Sequence, residues 1–380
     1  MKILTLIAVL SLAISCSKNE KKLQLIDKNA EEQTSNLYQN LKKLEGKHTL
    51  FGHQATLAYG YSWRNEPNRS DVKDVTGDFP ALYGWDIADF VNLNDSEIEM
   101  EEKMLRIKNF VKEGYDRGGV IAFAWHMSNP ATGKSFYDTT SAVHSILPGG
   151  ENHHILTQNL DAAARFFKEV SPIPIIFRPW HEHNGDWFWW CKGPTKEEDY
   201  IKLWQFTVDY LKNEKQIHNL IYAFSPDRSR MSLNDENAYF YAYPGDEYVD
   251  IIGLDNYWDV GHPVNTASPA ENAQNFAKSL ELIAKIATNK NKIAALTETG
   301  MEAIPDSTWW TQIMLKGIET NDWTKKITYF QVWRNATKAV EKKDHYYAPF
   351  KGQVSENDFL KMVKTDRIML ESELPEMYKK

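Results

Sequence analysis

Short apolar runs rich in β-branched residues recur along the chain, at 50–51, 81–84, 120–125, 173–177, 220–224, 249–254, 293–296 and 327–332. They are near-continuously apolar instead of alternating, as parallel strands buried on both faces are. Between them, apolar positions follow the ~3.6-residue period of an amphipathic helix. Met104, Ile107, Phe110 and Val111 form one such set, and Tyr200, Leu203, Trp204, Thr207 and Leu211 another. Phe276, Leu280 and Ile283, then Ile313, Met314 and Ile318, and finally Phe359, Met362 and Val363 continue the series. Eight strands alternating with outer helices predict an α/β fold, a (β/α)8 TIM barrel forming one domain over residues 36–380. The connection 127–156, with Pro130, Gly133, Pro148, Gly149 and Gly150, is predicted as a loop over the barrel mouth.

Composition adds what the pattern leaves open. No low-complexity stretch divides the 380 residues, and 42% apolar content suffices for one large core. The 44 basic and 52 acidic residues include no basic track, which argues against nucleic acid as a partner. Aromatic residues make up 13% of the chain, and many of its 13 Trp stand beside polar residues, a composition suited to stacking on the apolar faces of sugars.

At the start, Lys2 precedes an apolar run over 3–14, far shorter than the ~20 residues of a membrane span. Residues 1–15 therefore read as an export signal. Leu12-Ala13-Ile14-Ser15-Cys16 resembles the lipobox of bacterial lipoproteins, which implies acylation of Cys16 and a flexible tether over 16–35; a plain secretory peptide is the alternative. The implied location is the bacterial cell envelope, periplasmic or at the cell surface, with the lipid as the only membrane contact. Cys16 and Cys191 are the two cysteines, so no intramolecular disulfide is expected.

Sites in such barrels form at the C-terminal strand ends. Here those ends carry Gly52-His53-Gln54, Trp85-Asp86, Trp125-His126, Arg178 to Glu182, Ser225-Pro226-Asp227, Asp255 to Trp258, Thr297-Glu298 and Trp333-Arg334-Asn335. Two ends deliver a glutamate, and cleavage of a glycosidic acetal needs two carboxyl groups, one protonated and one ionised. Glu182 precedes Trp187-Phe188-Trp189-Trp190, and burial among aromatics is expected to raise its pKa as a general acid requires. Glu298 then suits the nucleophile, with a carboxyl separation of about 5–5.5 Å dictating retention. Arg178 reads as an orienter of Glu298 or Tyr257, and Asp227 and Arg228 as distal sugar contacts or surface loop. At least one of Trp189 and Trp190 is expected to be structural, and Trp309, Trp310 and Trp323 to be core. His181 and His183 alternate, and His153-His154 add two imidazoles, which opens a rival metal-hydrolase reading; the lack of a His-x-His after the first strand argues for no metal.

The run Arg178-Pro179-Trp180-His181-Glu182-His183-Asn184-Gly185-Asp186-Trp187-Phe188-Trp189-Trp190 resembles the acid/base signature of glycoside hydrolase family 26, mostly β-mannanases. The resemblance spans nearly all of the chain after the export signal. It implies Glu182 as acid/base and Glu298 as nucleophile, with His181 where related barrels carry an asparagine near the substrate 2-hydroxyl. His126, in Trp125-His126 with Asn129-Pro130, would contact the sugar just before the scissile bond. Tyr257 would bond the nucleophile beside Asp255, Trp333 would floor the sugar and Trp187 wall the cleft. Trp125, Arg178 and Asp255 join these as expected site residues. Phe51-Gly52-His53-Gln54, Tyr83-Gly84-Trp85-Asp86, Ala348-Pro349-Phe350 and Asp358-Phe359 also match family segments, whereas Cys191 replaces an expected glycine and His183 lies where the pattern is looser.

The implied enzyme is a monomeric, cofactor-free retaining β-1,4-mannanase, a mannan endo-1,4-β-mannosidase acting on mannan, glucomannan or galactomannan by double displacement. Alternatives are a β-1,3-1,4-glucanase or β-1,3-xylanase of the same family, or a non-catalytic glycan-binding lipoprotein. Cutting within chains or trimming their ends depends on the loops after Met127 and over 258–268.

Overall fold

The computed structural model describes residues 23–92 and 94–380; the export signal, Cys16 and residues 16–22 of the tether lie outside them. Eight parallel strands run in chain order: Thr49–Gln54 (β1), Leu82–Asp86 (β2), Val120–Ala124 (β3), Ile175–Arg178 (β4), Leu220–Phe224 (β5), Ile251–Asn256 (β6), Ile293–Thr299 (β7) and Ile327–Val332 (β8). β1 pairs with both β2 and β8, which closes the sheet into the expected barrel. Each apolar run of the sequence became one of these strands, and a short strand Ile368–Met369 adds to the start of β1.

Successive strand residues face opposite sides. Phe51, Tyr83, Phe123, Phe177, Tyr222 and Phe330 point outward into the cluster shared with the helices. Leu50, Leu82, Ala122, Ile176, Ile221 and Ala295 point inward to a second cluster that fills the barrel. Gly84 leaves space in that interior: a Cβ there would stand 2.2 Å from Gln54 Oε1, and Gln54 accepts a 2.8 Å bond from Gln331 across it.

Outer helices Glu97–Asp116, Glu197–Asp209, Pro269–Lys290 and Glu356–Val363 carry four of the predicted apolar stripes. The fifth, around Ile313, is wound as a π turn over Trp310–Leu315 before it tightens into Lys316–Ile318. A further helix, His153–Val170, begins inside the segment read as loop, and a short one, Val143–Ile146, interrupts that loop.

One boundary is corrected. Residues 23–35 are not a tether: Leu23 and Thr34 are buried, and the helix Glu32–Leu44 starts within the segment. Leu23, Leu37, Tyr38, Leu41 and Leu44 belong to the inner cluster, so this helix stoppers the N-terminal end of the barrel. Ile26 N donates to Asp250 Oδ1 at 2.8 Å and the Tyr38 hydroxyl to Asp250 O at 2.9 Å, just before β6. A barrel with an open apolar floor must be covered, and polar composition alone does not reveal which segment covers it.

Candidate active site

The nucleophile candidate owes its aim to a bulge. Leu254 pairs with Leu296 but Asp255 pairs with Glu298, so β7 spends one extra residue, Thr297, against β6. Bulges re-aim side chains beside active sites. Thr297 Oγ1 donates to Asp255 Oδ1 at 2.7 Å, and Arg178, the last residue of β4, donates to Asp255 Oδ2 at 2.5 Å. The other guanidinium arm of Arg178 donates to Glu298 Oε2, and the Tyr257 hydroxyl donates to Glu298 Oε1 at 2.8 Å. Both oxygens of Glu298 thus act as acceptors, the arrangement of a fixed, ionised carboxylate.

Glu182 sits on backbone in the left-handed region, with φ 55°, as does Trp180 with φ 50°. Non-glycine residues stay there only when their surroundings hold them. Glu182 N donates to Ser225 O at 2.8 Å, Trp190 Nε1 to His181 O at 2.8 Å and the Tyr200 hydroxyl to Trp180 O at 2.7 Å. The aromatic block is therefore mainly a clamp: Trp189 and Trp190 are both fully buried. Trp187 alone of its tryptophans is only half-buried, and its Nε1 donates to Glu182 Oε2 at 2.7 Å. Its ring lies over Gly185, where a Cβ would come within 2.6 Å of it.

Burial pushes the Glu182 carboxyl well above the usual range, and the charges of Asp227, Asp255 and Glu298 push it further; the Trp187 hydrogen bond opposes them. A carboxyl that keeps its proton toward neutral pH is what a general acid needs. Asp227→Asn removes one of those charges, so the Glu182 pKa should fall. The alkaline limb of a kcat/KM–pH profile, where the acid loses its proton, is expected to move to lower pH; a limb that stays put or moves up refutes this origin of the shift.

The Trp333 ring is half-buried and lies 5.5 Å from that of His126, and the His181 ring lies 4.6 Å from His126. One expected site residue, Trp125, stands differently from the sequence reading, while Arg178 takes the orienting place expected of it. Trp125 has no exposed surface and packs on Trp180 at 5.6 Å, because past β3 the chain turns His126 to the mouth and Trp125 to the helices. Arg178 and Asp255 are buried against Glu298 and order it from below. Asp227 and Arg228 are buried too, and Arg228 pairs with Asp259 at 2.8 Å instead of lining an open surface.

The two alternating histidines part company. His183 bonds Tyr241 O at 2.8 Å and stacks on Tyr200, away from His181, and His153 bonds Ile146 O at the start of its helix. Among the described residues no group of three or more His, Cys, Asp and Glu could hold a metal ion. Trp309 and Trp310 are core, and Trp323 is half-buried at its margin.

Sequence reasoning missed Phe136 and Tyr137. They stand in the long loop against Phe188, and Phe136 lies 4.7 Å from His126. The ring of Tyr137 is itself largely exposed at the loop tip. An aromatic pair in an otherwise polar loop was the available signal.

The family model described as glycosyl hydrolase family 26 matches residues 26–347. A mannan endo-1,4-β-mannosidase of Bifidobacterium adolescentis is 33% identical over 293 residues, 75% of this chain but 28% of that protein. The chain thus spans under a third of that curated relative's length. Among solved structures, a family 26 β-mannanase from Bacteroides ovatus superposes with TM-score 0.80 at 36% identity, covering 92% of this chain and 98% of that one. A family 26 protein from Muricauda sp. gives 0.83 at 35%, covering 93% and 96%. With the family model matched from the barrel's floor helix to beyond its last barrel strand, this chain belongs to glycosyl hydrolase family 26.

Proposed function

We propose that this chain is a retaining β-1,4-mannanase, a mannan endo-1,4-β-mannosidase acting on mannan, glucomannan or galactomannan. The observation that carries the reading is the division of labour between two carboxyls: Glu182, kept protonated by burial, and Glu298, fixed by Arg178 and Tyr257. In the first step Glu182 gives its proton to the glycosidic oxygen while a Glu298 oxygen attacks the anomeric carbon, and the bond to the leaving sugar breaks. In the second, the Glu182 carboxylate takes a proton from water, whose oxygen displaces Glu298. The mannan preference rests on the named relatives and on the His126–His181 pair beside the carboxyls.

The test is product analysis on mannan, glucomannan, mixed-linkage glucan and β-1,3-xylan, with proton NMR of the first anomer released. β-Configured manno-oligosaccharides are expected. An α-anomer first rejects double displacement, activity confined to glucan or xylan shifts the substrate, and binding without cleavage makes the protein a glycan-binding one. We further propose acylation at Cys16 on the cell envelope, supported by the short apolar leader; palmitate labelling that persists in Cys16→Ser refutes it.

A further inference from the structure

Three side chains form a chain of hydrogen bonds at the sugar side of the site. Asp86, at the end of β2, accepts at Oδ2 from His126 Nδ1 at 2.5 Å, and its Oδ1 accepts from Ala88 N at 2.9 Å and His126 N at 3.1 Å. His126 Nε2 and His181 Nε2 lie 3.1 Å apart, which requires one of them to carry the proton and the other a lone pair. His181 Nδ1 is buried with no partner.

Both ends of this chain select the same proton positions. An ionised Asp86 only accepts, so His126 must carry a proton on Nδ1, which leaves Nε2 as the atom facing His181. At the other end, a buried N–H without an acceptor is rarer and costlier than an unused lone pair, so His181 leaves Nδ1 bare and protonates Nε2. The two choices meet at the Nε2–Nε2 contact with one donor and one acceptor. We infer that Asp86 is a positioning residue: it fixes a one-way chain beside the sugar, His181 Nε2–H to His126 Nε2 and His126 Nδ1–H to Asp86.

The proton positions matter for the reaction. The transition state carries positive charge on the sugar ring, which an imidazolium alongside would repel. Asp86 instead puts its negative charge behind His126, and the His126 Nε2 lone pair can accept from a sugar hydroxyl once His181 yields it. Burial and the nearby Arg178 also hold the His181 pKa well below its usual value, in keeping with a neutral ring.

The consequence for activity rests on the retaining-mannanase reading; the proton positions do not. Long-range proton–nitrogen NMR of the full chain with labelled histidine should show His126 protonated at Nδ1 only and His181 at Nε2 only, near neutral pH. An imidazolium or an Nε2–H tautomer at His126 overturns the inference, whether or not any variant folds. In Asp86→Asn the His126 tautomers should mix and kcat/KM fall by about 10–100-fold. In a His126→Ala background the same change should cost less than about 2-fold, since Asp86 acts through His126. Full additivity of the two losses overturns it. A native enzyme that cleaves no mannan would refute the proposed function while the NMR result still decides the proton chain.

Discussion

Glu298→Gln is expected to abolish mannan hydrolysis almost completely, with kcat reduced on the order of 10⁴-fold, and Glu182→Gln to cost about 10²–10⁴-fold. The two losses have different signatures. The Glu298→Gln enzyme cannot form the covalent intermediate, so no substrate rescues it. The Glu182→Gln enzyme only lacks a proton donor, so an aryl mannoside with an acidic phenol should still load Glu298, and an added anion such as azide, which needs no general base, should release it as a β-mannosyl adduct. The clamp that holds Glu182 is made by its backbone and the aromatic block, and Arg178 keeps Asp255 as a buried partner when Glu298 is neutral, so both variants should fold. Initial rates on both substrates, with and without azide, test this, and an α-adduct from Glu182→Gln or wild-type turnover in either variant overturns the assignment.

Arg178→Met should have the largest effect on the fold. Arg178 is buried and bridges two buried carboxylates, Asp255 and Glu298. Removing one partner of a buried ion pair strands the other charge, at a cost of about 3–5 kcal/mol. Arg178→Lys retains the charge but cannot span both acceptors with one planar group, so it should recover only part of the loss. Denaturant unfolding of the three proteins measures the ranking, and an Arg178→Met chain as stable as the native one contradicts the bridging role. Activity should fall in both variants, since Glu298 loses one of its two fixed donors.

The barrel was legible because its signal is local. Each strand is a largely apolar run of four to seven residues, and polar and aromatic residues gather at its C-terminal end, the end at which sites form in such barrels. The site was legible to the same depth: Glu182, Glu298, Trp187 and Tyr257 each stand at or just past a strand end, and the structure joins them in pairs. Trp125 was misplaced because a strand-end position says nothing of its side, and a one-residue difference decides between mouth and helix layer. The floor helix was missed because residues 23–35 look polar until the barrel supplies an apolar base for Leu23, Leu37 and Leu41.

By itself the sequence determined the fold class, the number of barrel strands and the chemical types at the barrel mouth, since these come from periodicity and from residue identity at run ends. Only the tertiary structure decided which of those groups meet. The bulge that sets Glu298 against Asp255, the Arg178 bridge and the Asp86–His126–His181 chain join residues from different strands. Their geometry depends on closure of the sheet and on burial, and neither is written in the spacing along one chain.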